Sequence, residues 1–99
     1  MRLHYYGMLD SLESCYTFQE FEVDGMKLYI QNSPRFGYEP ATMIIKNPAL
    51  FVRTKAGYLR YDIEDFSIAV SNGMADVNDD TICEIIGKIK ESTTISIER

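Results

Sequence analysis

Residues 20–30, EFEVDGMKLYI, contain the clearest structural signal in the chain, because an Asp-Gly pair separates two runs of alternating apolar and polar residues. Asp24-Gly25 is among the best pairs for a two-residue type I′ turn, in which both central residues need a positive φ. Such a turn places Val23 opposite Met26. The segment therefore predicts an antiparallel β-hairpin with a defined register.

Alternation along the hairpin separates its side chains into an apolar face and a mixed face. The apolar face, which we expect to contact the core, contains Phe21, Val23, Met26, Leu28 and Ile30. The mixed face, with aromatic rings among charges, contains Phe18, Glu20, Glu22, Lys27, Tyr29 and Gln31. Glu22 opposes Lys27 there, and such a cross-strand pair contributes about 0.2–1 kcal/mol. The mixed face is the first candidate for a partner surface.

Length and composition are typical of one globular domain over residues 1–99, with 45% hydrophobic and 25% charged residues. The formal net charge is −5. Binding to nucleic acid or to an anionic membrane requires an excess of Lys and Arg, so we expect neither as a direct partner. The excess of acidic residues either keeps a small domain soluble, which is the commoner role, or forms a recognition surface.

The N-terminal residues predict a cytoplasmic protein. MRLHYYGMLDSLES has one basic residue and no apolar run of signal-peptide length. No stretch approaches the ~18–20 apolar residues of a membrane span. Cys15 and Cys83 match no CxxC or metal spacing, so we expect two buried, reduced thiols; a disulfide in an exported protein is the alternative.

Further strands are predicted on both sides of the hairpin. Residues 1–9 are apolar and aromatic, with Gly7 at a bulge or bend. Residues 42–54 contain two apolar runs separated by Asn47-Pro48, and this pair marks a bend because proline cannot donate to a ladder.

Residues 55–57, KAG, predict a three-residue hairpin loop with Gly57 in a left-handed conformation, which would place Phe51 opposite Tyr61. Beyond this hairpin the apolar residues change from odd-numbered positions (Leu59, Tyr61 and Ile63) to even-numbered positions (Phe66, Ile68 and Val70). A bulge or corner at residues 64–65 would reconcile the two series. Residues 71–73 predict the turn that closes this element.

An amphipathic helix is predicted near the C-terminus. Its apolar stripe, at i, i+3, i+4 and i+7, consists of Ile82, Ile85, Ile86 and Ile89. Thr81 and Glu84 have the spacing of a capping box, and Asp79-Asp80 suit the positive end of the helix dipole. Residues 94–98, TISIE, alternate and predict a last strand. The predicted fold class is α+β, an antiparallel sheet of about five or six strands with one C-terminal amphipathic helix packed on it.

Residues typical of catalysis or metal binding are scarce. His4 is the single histidine, which excludes multi-histidine metal sites and leaves little room for Ser-His or Cys-His catalysis. Residues 76–81 begin like a calcium loop, but Thr81 stands where that loop needs glycine. Asp62 and Glu64 share a strand face with Arg60, a pattern typical of solvated charge. We therefore predict a protein that is not an enzyme and needs no metal or cofactor.

Charge is segregated along the chain. Residues 40–61 contain four basic residues and no acid, whereas residues 62–84 contain seven acids and no base. Such blocks either pair internally or steer a basic partner at long range. Residues 31–41 form a predicted loop that displays Arg35 among aromatic rings, the residue types enriched at binding hot spots; alternatively, the rings seal the loop to the core.

Together these features predict a small acidic binding protein that inhibits or neutralises a partner protein, in the manner of immunity proteins, phage anti-defence proteins or nucleic-acid mimics. The partner would be another protein, with a basic or nucleic-acid-binding surface. The alternatives are a homodimer or an accessory subunit of a larger assembly and, least favoured, a small-ligand sensor or enzyme. The predicted contact residues are Glu20, Glu22, Tyr29, Arg35, Phe36, Tyr38, Asp62, Glu64 and Asp65.

Overall fold

The computed structural model describes residues 1–34, 42–72 and 74–97, which form two antiparallel sheets and one helix. The elements are β1 (Arg2–Leu9), β2 (Tyr16–Val23), β3 (Met26–Pro34), β4 (Thr42–Lys46), β5 (Ala49–Thr54), β6 (Gly57–Glu64), β7 (Ser67–Ser71), β8 (Met74–Ala75) and α1 (Asp79–Ile97). The large sheet has the order β1-β6-β5-β3-β2, and the small sheet has the order β4-β7-β8. The α+β class is confirmed, with two sheets where the sequence predicted one.

The first hairpin, β2–β3, has the predicted turn and register. Asp24 and Gly25 have φ values of 52° and 79°, and Val23 pairs with Met26. Leu28 and Ile30, on the predicted core face, are fully buried. The local Asp-Gly signal was therefore sufficient to define this hairpin.

A corner carries the β5–β6 ribbon from the large sheet into the small one. The Asn47 N–H donates to the Phe66 carbonyl over 2.8 Å, and the Ile63 N–H donates to the Pro48 carbonyl over 3.0 Å. Asp65 has a φ of 56° at the same corner. The predicted bend at Asn47-Pro48 and the predicted corner at residues 64–65 are thus one feature, and it explains the change of parity.

The core contains the apolar side of both sheets and one stripe of α1. Its buried members are Leu28, Ile30, Leu50, Val52, Tyr61, Ile63, Ile68, Val70, Ala75, Ile82, Ile85, Ile86 and Ile89. The four helix isoleucines are at most 4% exposed. The predicted apolar stripe is confirmed, and burying it against the sheets stabilises a helix that would be marginal alone.

Asp79 and Asp80 lie in the first turn of α1 as predicted, but the predicted capping box and the strand predicted after the helix were wrong. The Thr81 N–H donates to the Asn78 Oδ1 over 2.8 Å, so Asn78 is the N-cap and the Thr81–Glu84 capping box does not form. The helix continues to Ile97, so residues 94–97 are helical where a strand was predicted over 94–98; residue 98 lies outside the described residues. A five-residue alternation is too short to distinguish a strand from the last turns of a helix.

The β5–β6 hairpin differs from the prediction by one residue. Thr54 pairs with Gly57, so the loop contains two residues instead of three. Phe51 consequently opposes Arg60 and not Tyr61. Because side chains alternate across a strand, this shift places Phe51 on the side of the sheet away from the core.

Neighbouring β1 accounts for the position of Gly57. Its φ is 145°, and a Cβ at this residue would overlap the backbone carbonyl oxygen of Leu9. Glycine therefore permits β1 to lie directly beside the start of β6. The predicted bulge at Gly7 is confirmed, because the register shifts between Tyr5 and Gly7 and leaves Tyr6 as the extra residue.

Cys15 and Cys83 are free thiols, and both are exposed. The expectation of two buried thiols is wrong, because Cys15 lies in the β1–β2 connection and Cys83 lies on the outward side of α1. Among the described residues, no helix is both long and apolar enough to cross a membrane.

Candidate functional site

The side of the large sheet that faces away from the core, here called the outer face, carries the candidate site. One row crosses four strands, because Glu20 opposes Tyr29, Tyr29 opposes Phe51 and Phe51 opposes Arg60. Opposed residues in an antiparallel ladder project from the same side. On β2, β3, β5 and β6 the outer face includes Phe18, Glu20, Glu22, Lys27, Tyr29, Gln31, Phe51, Arg53, Tyr58, Arg60 and Asp62.

Tyr29 is held at the centre of one contact cluster. Its Oη donates to Glu20 Oε1 over 3.0 Å, and its ring meets the Tyr58 ring edge-on, with centroids 5.8 Å apart. Loss of hydration and the Glu20 hydrogen bond raise the pKa of Tyr29, and a hydrogen bond with Arg53 partly opposes this. The phenol is therefore a neutral, oriented hydrogen-bond donor at physiological pH.

Arg60 is the centre of a second cluster. Its Nε lies 3.2 Å from Asp62 Oδ1, and the two side chains are 28% and 30% exposed. The guanidinium carbon lies 4.3 Å from the centroid of the Tyr6 ring and 5.9 Å from that of Phe51. A carboxylate and two rings thus fix the orientation of the guanidinium, and cation–π contact adds to the ion pair.

A small pocket lies between these strands and the β1–β2 connection. Its volume of about 110 Å³ would hold about four water molecules. It is lined by Glu13, Tyr16, Phe18, Gln31, Phe51 and Arg60. Phe18 meets Phe51 edge-on at 5.3 Å, and Phe51 is only 5% exposed. The pocket is far below the volume of a drug-sized ligand site and is large enough for the end of one side chain.

Cys15 lies beside this pocket without forming a reactive centre. Its Sγ donates to Glu13 Oε2 over 3.6 Å. Partial loss of hydration and the neighbouring Glu13 carboxylate raise the pKa of Cys15. The thiol therefore stays protonated at neutral pH, where it is a weak nucleophile.

The structure separates the predicted contact residues into three groups. Those that share the outer face are Glu20, Glu22, Tyr29 and Asp62. Glu64 and Asp65 lie at the end of β6, where Arg2 approaches their carboxylates at 3.0 and 3.4 Å. Arg35, Phe36 and Tyr38 lie outside the described residues.

Five members of the two clusters were absent from the predicted contact residues, namely Tyr6, Phe51, Arg53, Tyr58 and Arg60. The predicted β5–β6 register placed Phe51 opposite Tyr61, and therefore on the wrong side of the sheet. Tyr6 contacts Arg60 only because β1 pairs with β6. Charge on the named outer-face residues is balanced, because three acids (Glu20, Glu22 and Asp62) accompany three bases (Lys27, Arg53 and Arg60).

Exposed acids instead concentrate around the start of α1, at Asp76, Asp79, Asp80 and Glu84. Within the described residues, no group of three or more His, Cys, Asp or Glu side chains is placed to hold a metal ion. Comparisons of the chain with models of protein families, with curated protein sequences and with solved structures gave no match.

Proposed function

We propose that this chain is a small non-enzymatic binding protein whose outer face covers, and thereby inhibits or neutralises, a surface of a partner protein. The observation that supports this proposal is the packing of Arg60 between Tyr6 and Phe51 beside the Tyr29–Tyr58 pair. Tyr and Arg, with Trp, are enriched among the few residues that contribute most binding energy in interfaces.

The contacts within the outer face favour tight association because they orient the side chains before a partner arrives. Asp62 holds the Arg60 guanidinium, and Glu20 holds the Tyr29 hydroxyl. Ordering a flexible side chain on binding costs roughly 0.5–1.5 kcal/mol, and a group that is already ordered avoids much of this cost. The small pocket beside Arg60 would then receive one side chain of the partner.

A partner with a basic surface fits the charge of the chain best. The net charge is −5, and Asp76, Asp79, Asp80 and Glu84 are exposed. These acids would accelerate the approach of a basic partner at low salt, whereas contact through the mixed outer face would determine how long the complex lasts.

Reversing two charges on the first hairpin tests the proposal. We expect Glu20→Lys/Glu22→Lys to weaken partner affinity about tenfold or more, because the new lysines would disturb Tyr29 and face Lys27 within the interface. Thermal stability should change by less than about 1 kcal/mol, since both glutamates are exposed. Calorimetry with the partner captured from the organism that encodes the chain measures both effects.

The matched control is Glu84→Lys/Glu91→Lys, which makes the same change in net charge at two exposed positions of α1. Both double variants should bind more slowly at low salt. At high salt, where steering is screened, only the hairpin variant should remain weak. A hairpin variant that binds as tightly as the unaltered chain at high salt would exclude the hairpin part of the outer face from the interface.

A further inference from the structure

Strand β1 exposes an apolar edge. It is the terminal strand of the large sheet, paired with β6 on one side only within the described residues. Tyr5, Tyr6 and Met8 are 50%, 59% and 48% exposed, which makes them three of the five large hydrophobic side chains that the described residues expose. An end strand has a row of backbone N–H and C=O groups that another strand can pair with.

The other end strands carry the usual protection against such pairing, and β1 carries little of it. β2 presents Glu20 and Glu22, β4 presents Lys46, and β8 has only two residues. β1 has eight residues without an acid, a lysine or a proline. Its only strong charge, Arg2, is already ion-paired within its own chain. The Tyr6 bulge is the one protective device that remains.

From these features we infer that the chain forms a homodimer in which β1 of one copy pairs antiparallel with β1 of the other about a two-fold axis. The charge pattern favours a second copy as the occupant. Antiparallel pairing places Arg2 and His4 of one strand opposite the uncharged Tyr6–Met8 end of its mate. The same operation about the middle of β2 would bring Glu20 beside the Glu20 of its mate, which is unfavourable.

The number of strands in the resulting dimer is within the range seen for open β-sheets. Two five-stranded sheets would join into one of about ten strands, near the upper limit for an open twisted sheet. The bulge between Tyr5 and Gly7 interrupts the ladder and keeps the contact short. We therefore expect a weak, reversible dimer. Tyr6 belongs to both surfaces through its contact with Arg60. The inference is nevertheless tested apart from the proposed function, because Tyr5 and Met8 oppose Tyr61 and Leu59 and so lie on the other side of the sheet.

Sedimentation velocity over a concentration series up to the millimolar range tests the inference. The unaltered chain should pass reversibly from monomer to dimer. Tyr5→Lys and Met8→Lys should each weaken dimerisation about tenfold or more, because each places charge on the apolar edge. The control Ile44→Lys changes a side chain that is 67% exposed on the small sheet, and it should dimerise like the unaltered chain. Circular dichroism establishes that each variant is folded.

Amide hydrogen exchange distinguishes strand pairing from contact through side chains alone. Raising the protein concentration should slow exchange at the amides of β1 and leave those of β2 unchanged. A monomer throughout the concentration series would overturn the inference. So would a dimer that Ile44→Lys dissociates while Tyr5→Lys and Met8→Lys leave it intact.

Discussion

Replacing Ile85 with alanine should destabilise the protein by about 2–5 kcal/mol, the range measured when a large aliphatic side chain is truncated in a core. Ile85 is completely buried, on the stripe of α1 that contacts the core. Truncation removes apolar contact and leaves a cavity that the two rigid sheets cannot fill. Urea unfolding, followed by circular dichroism, measures the change in the free energy of unfolding.

Cys83→Ala is the matched control, because Cys83 lies on the same helix and is exposed. It should change the free energy of unfolding by no more than about 0.5 kcal/mol. If Ile85→Ala were as mild as Cys83→Ala, α1 would not pack against the sheets as described.

Replacing Gly57 with valine should destabilise the protein by about 3 kcal/mol or more, since strained backbone and steric overlap each cost about 1–3 kcal/mol. The φ of 145° is one that side-chain-bearing residues rarely adopt, and the new Cβ would overlap the Leu9 carbonyl oxygen. Backbone of β1 would have to move away from β6. Thermal and urea unfolding measure the loss.

Gly87→Ala provides the opposite control. A Cβ at Gly87, in the middle of α1, would meet nothing within 4 Å. Alanine should therefore stabilise the helix by roughly 0.5–1 kcal/mol. A Gly57→Val variant as stable as the unaltered chain would contradict the conclusion that glycine at position 57 permits β1 to lie beside β6.

Local chemistry determined which parts of the fold were predictable. Asp24-Gly25 defines its own hairpin. The spacing of four isoleucines defines the buried side of α1, and neither signal depends on residues that are distant in sequence. The β5–β6 loop was misjudged because the position of Gly57 depends on β1, which is remote in sequence. The partition into two sheets likewise depends on the corner hydrogen bonds of Asn47 and Ile63.

The candidate site was predictable only where a single hairpin defines it. Glu20 and Tyr29 are cross-strand neighbours in β2–β3, so their shared face followed from the turn. Arg60 contacts the rings of Tyr6 on β1 and Phe51 on β5. Tyr6 is far from the other two residues in sequence, so no local pattern predicts that the three meet. Contacts between elements thus assemble the part of the outer face that the sequence could not predict.

A photo-cross-linking experiment tests the proposed use of the outer face most directly. A photoreactive phenylalanine derivative replaces Tyr58, which is partly buried on the outer face, or Ile44, which is exposed on the small sheet. Illumination of each variant with the captured partner should yield a cross-linked complex from position 58 and none from position 44. Cross-links from position 44 alone would contradict the account.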